Sequence, residues 1–177
     1  MIKVNDLEFE VSIPQSEIAS CVDDIASRIN HDYAGKNPLL VVMLSGAFIF
    51  AADLVRHLDI QSEVSFAKYS SYDGMETTGV VRKLLDVTAD LKGRDVIIVE
   101  DIIDTGTTMS RVVPMFKNKG ASSVRIAALL LKPGKLKHDI HIDYVGKEIP
   151  NDFILGYGLD YDGYGRNFAD IYTVTQS

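Results

Sequence analysis

The run Val96-Ile97-Ile98-Val99-Glu100-Asp101-Ile102-Ile103-Asp104-Thr105-Gly106-Thr107-Thr108 decides how this chain is read. An apolar strand, already signalled from Arg94, leads into two adjacent carboxylates. A third carboxylate then opens a short Thr/Gly turn, and a helical pattern follows from about Thr107 to Asn118, with Gly120 as its stop. In an open α/β sheet, ligands sit beyond the carboxyl ends of the strands. A turn rich in backbone N–H groups and hydroxyls at a helix amino terminus is a phosphate cradle. Asp104 or Thr105 could by itself be an ordinary helix cap, but a cap does not account for two further acids on a buried strand. Glu100 and Asp101 fall on opposite faces of a regular strand, so serving one ligand together requires the strand to bend there.

Outward from this run, strands and helices alternate. Ile18, Cys21, Val22, Ile25 and Ile29 recur at helical spacing within 13–33. Leu39 to Leu44 is a wholly apolar strand, followed by Gly46 and a helix from about Phe48 to Leu58. Glu63 to Tyr69 alternates as a strand, and Ser123 to Leu131 and Phe153 to Tyr157 read as further buried strands. The pattern predicts an α/β fold with a mostly parallel central sheet flanked by helices. Ser70 to about Lys92 is long, polar and poorly periodic, which reads as an active-site lid that closes over ligand or as a disordered segment, with a ribbon over 80–85 as the part that could pair.

The 177 residues suit one domain of ordinary size. A net charge of −7 without a basic run argues against a nucleic-acid or anionic-membrane binder. A polyanionic ligand would have to be held by local groups: metal ions, helix amino termini and a few placed cations. One cysteine, Cys21, allows no intrachain disulfide. With no membrane-length apolar run and no basic leader or apolar signal core at the amino terminus, a cytoplasmic protein is expected. The chain has no P-loop signature, and Gly156-Tyr157-Gly158 lacks the third glycine of the dinucleotide fingerprint. His138 and His141 read as surface histidines.

Val99 to Thr108 resembles the phosphoribosyl pyrophosphate (PRPP) signature of the type I phosphoribosyltransferases, in the form of their hypoxanthine-guanine branch. The likeness extends from the helix ending Asp32-Tyr33-Ala34-Gly35 to Arg166. It implies one phosphoribosyltransferase domain over 1–177, with a small hood lobe built from the chain ends, the N-terminal segment and about 133–177. It also implies Mg2+ as cofactor, an oxopurine substrate such as hypoxanthine or guanine, a place in purine salvage, and a homodimer or homotetramer.

On matching positions, the resemblance implies that Glu100 and Asp101 hold the ribose hydroxyls, directly or through Mg2+. Asp104 is implied as general base near purine N7, and Thr105, Gly106, Thr107 and Thr108 as the 5′-phosphate loop. Leu44-Ser45-Gly46 matches the pyrophosphate loop, with a cis peptide before Ser45. Many members carry Lys or Arg at position 45, so the backbone role carries over and a side-chain contact from Ser45 does not follow. Ser71-Tyr72 matches the lid dipeptide. In the base pocket the resemblance places Lys132 on the oxygen at C6, Phe153 stacked on the ring, Ile154 offering backbone groups, and Asp160 nearby at a second Mg2+. Arg166 is implied at the pyrophosphate. The preference among hypoxanthine, guanine and xanthine stays open. The alternatives are an adenine enzyme, which usually lacks an acid at position 104, and a PRPP-sensing RNA-binding attenuator of the same fold, which needs a basic face.

Overall fold

The computed structural model describes residues 1–71 and 81–175. Two sheets organise them. The larger has six strands in the order β5-β4-β3-β6-β7-β8, formed by β3 (Leu39–Met43), β4 (Glu63–Ser71), β5 (Val81–Leu85), β6 (Asp95–Ile103), β7 (Ser123–Leu131) and β8 (Tyr144–Glu148). All its neighbours pair in parallel except the β4–β5 edge ribbon. The smaller sheet is antiparallel, with order β1-β2-β10-β9. It joins β1 (Ile2–Val4) and β2 (Leu7–Ile13) to β9 (Ile154–Leu155) and β10 (Ile171–Val174). The stretch after residue 133 is therefore divided: Tyr144–Glu148 adds to the large sheet, and only the later strands join the small one.

Central strands with apolar residues on both faces need cover on both sides. Leu40, Val42, Ile97 and Val99 pack with helices α1 (Gln15–Asp32) and α2 (Phe48–Arg56), through Ile18, Val22, Ile25, Phe50 and Leu54. The alternate residues Leu39, Val41, Val96 and Ile98 face α3 (Thr107–Asn118), through Met109, Val112 and Phe116. Pro14 precedes α1, and the first N–H of that helix, on Gln15, donates to Asp170 Oδ1 at 2.8 Å. This ties the start of the chain to its end. Among the described residues no helix is long and apolar enough to cross a membrane.

Three sequence expectations change. The strand expected to stop at Val99 runs on to Ile103, because the ladder with β7 continues from Glu100↔Ala128 to Ile103↔Leu131 after β3 has ended opposite Val99. Phe153 to Tyr157 shrinks to the two-residue β9, and its partner is β10 in the small sheet. The polar stretch 70–92 is not one loop: Val81–Leu85 forms the ribbon strand, and Val87 and Leu91 are buried. Residues 72–80, the centre of the expected lid, lie outside the described residues.

Asp86 fastens this edge. Its carboxylate accepts from Tyr69 Oη at 2.8 Å, Lys83 Nζ at 2.7 Å and Lys119 Nζ at 2.8 Å, joining β4, β5 and the end of α3. Burial alone would raise its pKa, but the bonds from Lys119, Lys83 and Tyr69 outweigh burial and hold it well below the usual carboxylate range. A folded pKa below the unfolded value of about 3.9 gives stability that is present above that pH and lost as pH falls toward the folded value. Asp86→Ala is expected to lower unfolding free energy by about 1–3 kcal/mol at neutral pH, with the deficit shrinking below about pH 4. Urea unfolding of both proteins across that range checks it, and a deficit independent of pH would contradict it.

Candidate active site

The turn between β6 and α3 is shaped by Gly106, which has φ 76° and stands as the cap residue of α3. The left-handed backbone there favours glycine, and an added Cβ would come within 2.7 Å of Ile140 Cδ1, which would have to shift. Gly106 offers no capping group, and the Thr107 N–H donates only a long 3.3 Å bond to Thr105 Oγ1. The first turn of α3 thus presents N–H groups and the positive end of its dipole to a cavity of about 250 Å³ lined by Glu100, Asp104 and Thr105 to Thr108. Thr105 Oγ1 and Thr107 Oγ1 lie 2.9 Å apart on the same side.

Behind this turn the two carboxylates of β6 meet. Glu100 Oε1 accepts the Asp101 N–H at 3.1 Å, and Asp101 Oδ1 accepts the Ile102 N–H at 2.8 Å. The ladder to β7 keeps one register on either side of Asp101, pairing Glu100 with Ala128 and Ile102 with Leu130, so the two acids are consecutive residues of a continuous strand. Burial, together with the adjoining Asp101 charge, pushes the Glu100 carboxyl well up. Glu100 lines the cavity, and Asp101 is turned toward Gly46, where an added Cβ would fall 1.8 Å from Asp101 Oδ2.

Gly46 belongs to the Leu44-Ser45-Gly46 loop that leaves β3, and the Leu44–Ser45 peptide is cis. Leu44 N–H donates to Ala67 O at 2.8 Å, holding the loop to β4. On its other side Gly46 abuts Gly158: a Cβ there would lie 2.2 Å from Gly46 O. The Gly158 carbonyl accepts from Arg166 Nη1 at 2.6 Å, and Arg166 Nη2 pairs with Asp160 at 2.7 Å. The two glycines let Asp101, the β3 loop and the Arg166 segment come together. Asp160, the residue expected at a second metal, pairs with Arg166 and accepts the Gly163 N–H at 2.7 Å. Among the described residues no three His, Cys, Asp or Glu side chains group as a metal cage.

At the other end lie the residues expected to take a base. Asp104 Oδ1 is buried and has no partner among the described residues, and Oδ2 faces Lys135 Nζ at 3.4 Å. Lys132, 6% exposed at the end of β7, donates to Asp152 O at 2.7 Å. Burial lowers its pKa, against the opposing pull of Asp104. Phe153, the next residue after Asp152, is 44% exposed with its ring edge-on to Tyr161 at 5.4 Å, while Ile154 is buried. Ser71 closes β4, and Tyr72 lies outside the described residues.

Two residues that sequence reading passed over reach the phosphate turn. His138 Nε2 sits 3.1 Å from Thr107 Oγ1, so it is not a plain surface histidine, and Lys135 faces Asp104. Their only sequence signal is that Lys135 to His138 is a polar stretch following the end of β7, the strand beside β6.

A family model described as a phosphoribosyl transferase domain matches residues 14–162. The chain is 46% identical over 159 residues to the hypoxanthine-guanine phosphoribosyltransferase of Streptococcus thermophilus strain CNRZ 1066, covering 89% of this chain and 88% of the relative. The Streptococcus pneumoniae R6 enzyme of the same name is 45% identical over 168 residues, covering 94% and 93%. Among solved structures, a hypoxanthine-guanine phosphoribosyltransferase from Bacillus anthracis superposes with a TM-score of 0.90 at 35% identity, covering 96% of this chain and 100% of that one. A Staphylococcus aureus hypoxanthine phosphoribosyltransferase gives 0.90 at 37% identity, covering 97% and 93%.

The contact of Asp101 with Gly46 leaves no room for a methyl group. Gly46→Ala is expected to push the carboxylate aside and cut PRPP-dependent turnover by about 10²-fold, with little change in the urea midpoint. Steady-state rates measured beside unfolding curves check this, and wild-type turnover in the variant would show the contact to be slack.

Proposed function

The chain belongs to the phosphoribosyltransferase family, and on that premise we propose that it transfers the 5-phosphoribosyl group of PRPP to N9 of hypoxanthine and guanine, releasing pyrophosphate, as a purine-salvage enzyme of the cytoplasm. The observation that carries this reading is the gathering, at the carboxyl ends of β6 and β7, of a phosphate turn, a buried Asp104 oxygen with no partner among the described residues, and a buried lysine. The attenuator alternative is not favoured: position 104 carries the acid a base needs, and the net charge is −7.

Thr105 to Thr108 take the 5′-phosphate, through α3 N–H groups and two hydroxyls. Glu100 and Asp101 take the ribose hydroxyls. They also suit Mg2+, since two adjacent half-buried carboxylates, with the Glu100 carboxyl held up by burial and by its neighbour's charge, form an oxygen donor pair for a hard ion. When bound, Mg2+ supplies positive charge to the pyrophosphate oxygens. Arg166, aimed by Asp160, faces the same leaving group. The C1′–O bond to pyrophosphate breaks through an oxocarbenium-like centre, and the N9–C1′ bond forms as Asp104 accepts the N7 proton. Lys135 beside Asp104 Oδ2 keeps the carboxylate oriented, while the buried Oδ1 has no partner among the described residues and keeps its accepting capacity. Lys132 donates to the oxygen at C6, which selects oxopurines because adenine would set a donor against a donor. Phe153 covers the ring, and Ile154 offers backbone groups. Exposed Val64 and Phe66, two apart on β4, support the homodimer or homotetramer that the resemblance implies.

With PRPP, Mg2+ and each purine base in turn, the protein is expected to form IMP and GMP and to leave adenine unused. In the same assay Asp104→Asn is expected to lose about 10²-fold or more in turnover while PRPP affinity holds. RNA binding without nucleotide formation would overturn the reading, and full turnover in folded Asp104→Asn would remove Asp104 as the base.

A further inference from the structure

Pyrophosphate leaves with several negative charges, and the loop that would receive it is backed by the Asp101 carboxylate, which repels it. Positive charge on the loop side is therefore required. The basic side chains near the site are mostly engaged: Arg166 with Asp160, Lys132 with the Asp152 carbonyl, Lys135 with Asp104. Lys68 differs. It is half-buried on β4, one residue past Ala67, whose carbonyl holds Leu44 N–H. Its Nζ lies 3.3 Å from Ser45 Oγ, and it forms no ion pair among the described residues. Among the described residues the Ser45 and Gly46 N–H groups donate to no protein acceptor. Ser45 accepts from the ammonium, which leaves its hydroxyl hydrogen free to donate onward.

We propose that Lys68, held beside the β3 loop by Ser45, is the binding cation for the pyrophosphate group of PRPP. It acts from the neighbouring strand, with Ser45 as its relay to the anion. This rests on the phosphoribosyl transfer proposed above. An ammonium on a flexible stem can follow the anion from substrate to leaving group, while the neutral hydroxyl keeps it at the loop when the site is empty. Hydrogen bonds to charged groups are the strong ones, and the effect falls on the diphosphate alone because the purine and the 5′-phosphate bind elsewhere.

The test compares the wild type, Lys68→Met, Lys68→Arg, and Ser45→Lys placed in the Lys68→Met background, all with Mg2+. Pyrophosphate affinity is measured by calorimetry, and KM for PRPP, hypoxanthine and IMP in the two directions. Lys68→Met is expected to weaken pyrophosphate and raise KM for PRPP about tenfold or more, with KM for hypoxanthine and IMP unchanged. Lys68→Arg is expected to keep most of the affinity, and Ser45→Lys to restore it by moving the ammonium onto the loop. Unchanged pyrophosphate affinity in Lys68→Met overturns the inference, as does a parallel rise in every KM with a lowered thermal midpoint and no rescue by Ser45→Lys. A wild type that binds pyrophosphate through Lys68 but makes no nucleotide sinks the reaction reading instead.

Discussion

The fold turns on one constraint: two adjacent carboxylates placed at the end of a buried central strand. Glu100 and Asp101 are carried past the point where β3 ends, on a ladder that only β7 continues. Like charges side by side in a half-buried site are costly unless a proton or a cation intervenes, and burial together with the Asp101 charge pushes the Glu100 carboxyl up. Neighbouring features accommodate the pair. Gly46 gives up its side chain so that Asp101 fits, and Gly158 gives up its own so that the Arg166 segment can close over the same loop. Gly106 turns the chain away from the acids into a helix whose N-terminal dipole favours an anion beside them.

An acidic protein can hold a polyanion on these terms because its positive partners are local. The amino end of α3 and the Thr105 and Thr107 hydroxyls face the cavity beside the Glu100 and Asp104 carboxylates, and Lys135 stands against Asp104, in a chain whose net charge is −7. Lys132 and Lys135 come from just beyond β7, the strand next to the acids, and Lys68 from β4 on the other side. The acids, the phosphate turn and the three lysines therefore draw on neighbouring strands of the mostly parallel sheet, while Phe153, Ile154 and Arg166 come from the segment that carries the small antiparallel sheet.

Much of this was legible in the sequence where local chemistry decides local structure. The β6–turn–α3 unit, the apolar β3 and the helix over Gln15–Asp32 follow from periodicity and from Gly, Pro and Thr punctuation. The small sheet was not. Its two-residue strand β9 exists through pairing with β10, and the alternation of β2 serves a partner from the far end of the chain. Tyr144–Glu148 has too few apolar residues to announce an edge strand. Within the site, the acids and the phosphate turn stand out because they are contiguous. His138 at Thr107, Lys68 at Ser45 and Asp160 at Arg166 do not, since each contact arises from tertiary proximity.

As the proposed Mg2+ site, Glu100 and Asp101 have no third His, Cys, Asp or Glu grouped with them among the described residues, so substrate oxygens would complete the coordination. Mn2+ binding followed by electron paramagnetic resonance, with and without PRPP, tests this most directly. The free protein is expected to hold Mn2+ weakly, PRPP to tighten that binding markedly, and Glu100→Gln with Asp101→Asn to abolish the gain. Tight Mn2+ binding to the free protein, indifferent to PRPP and to both substitutions, would contradict the account.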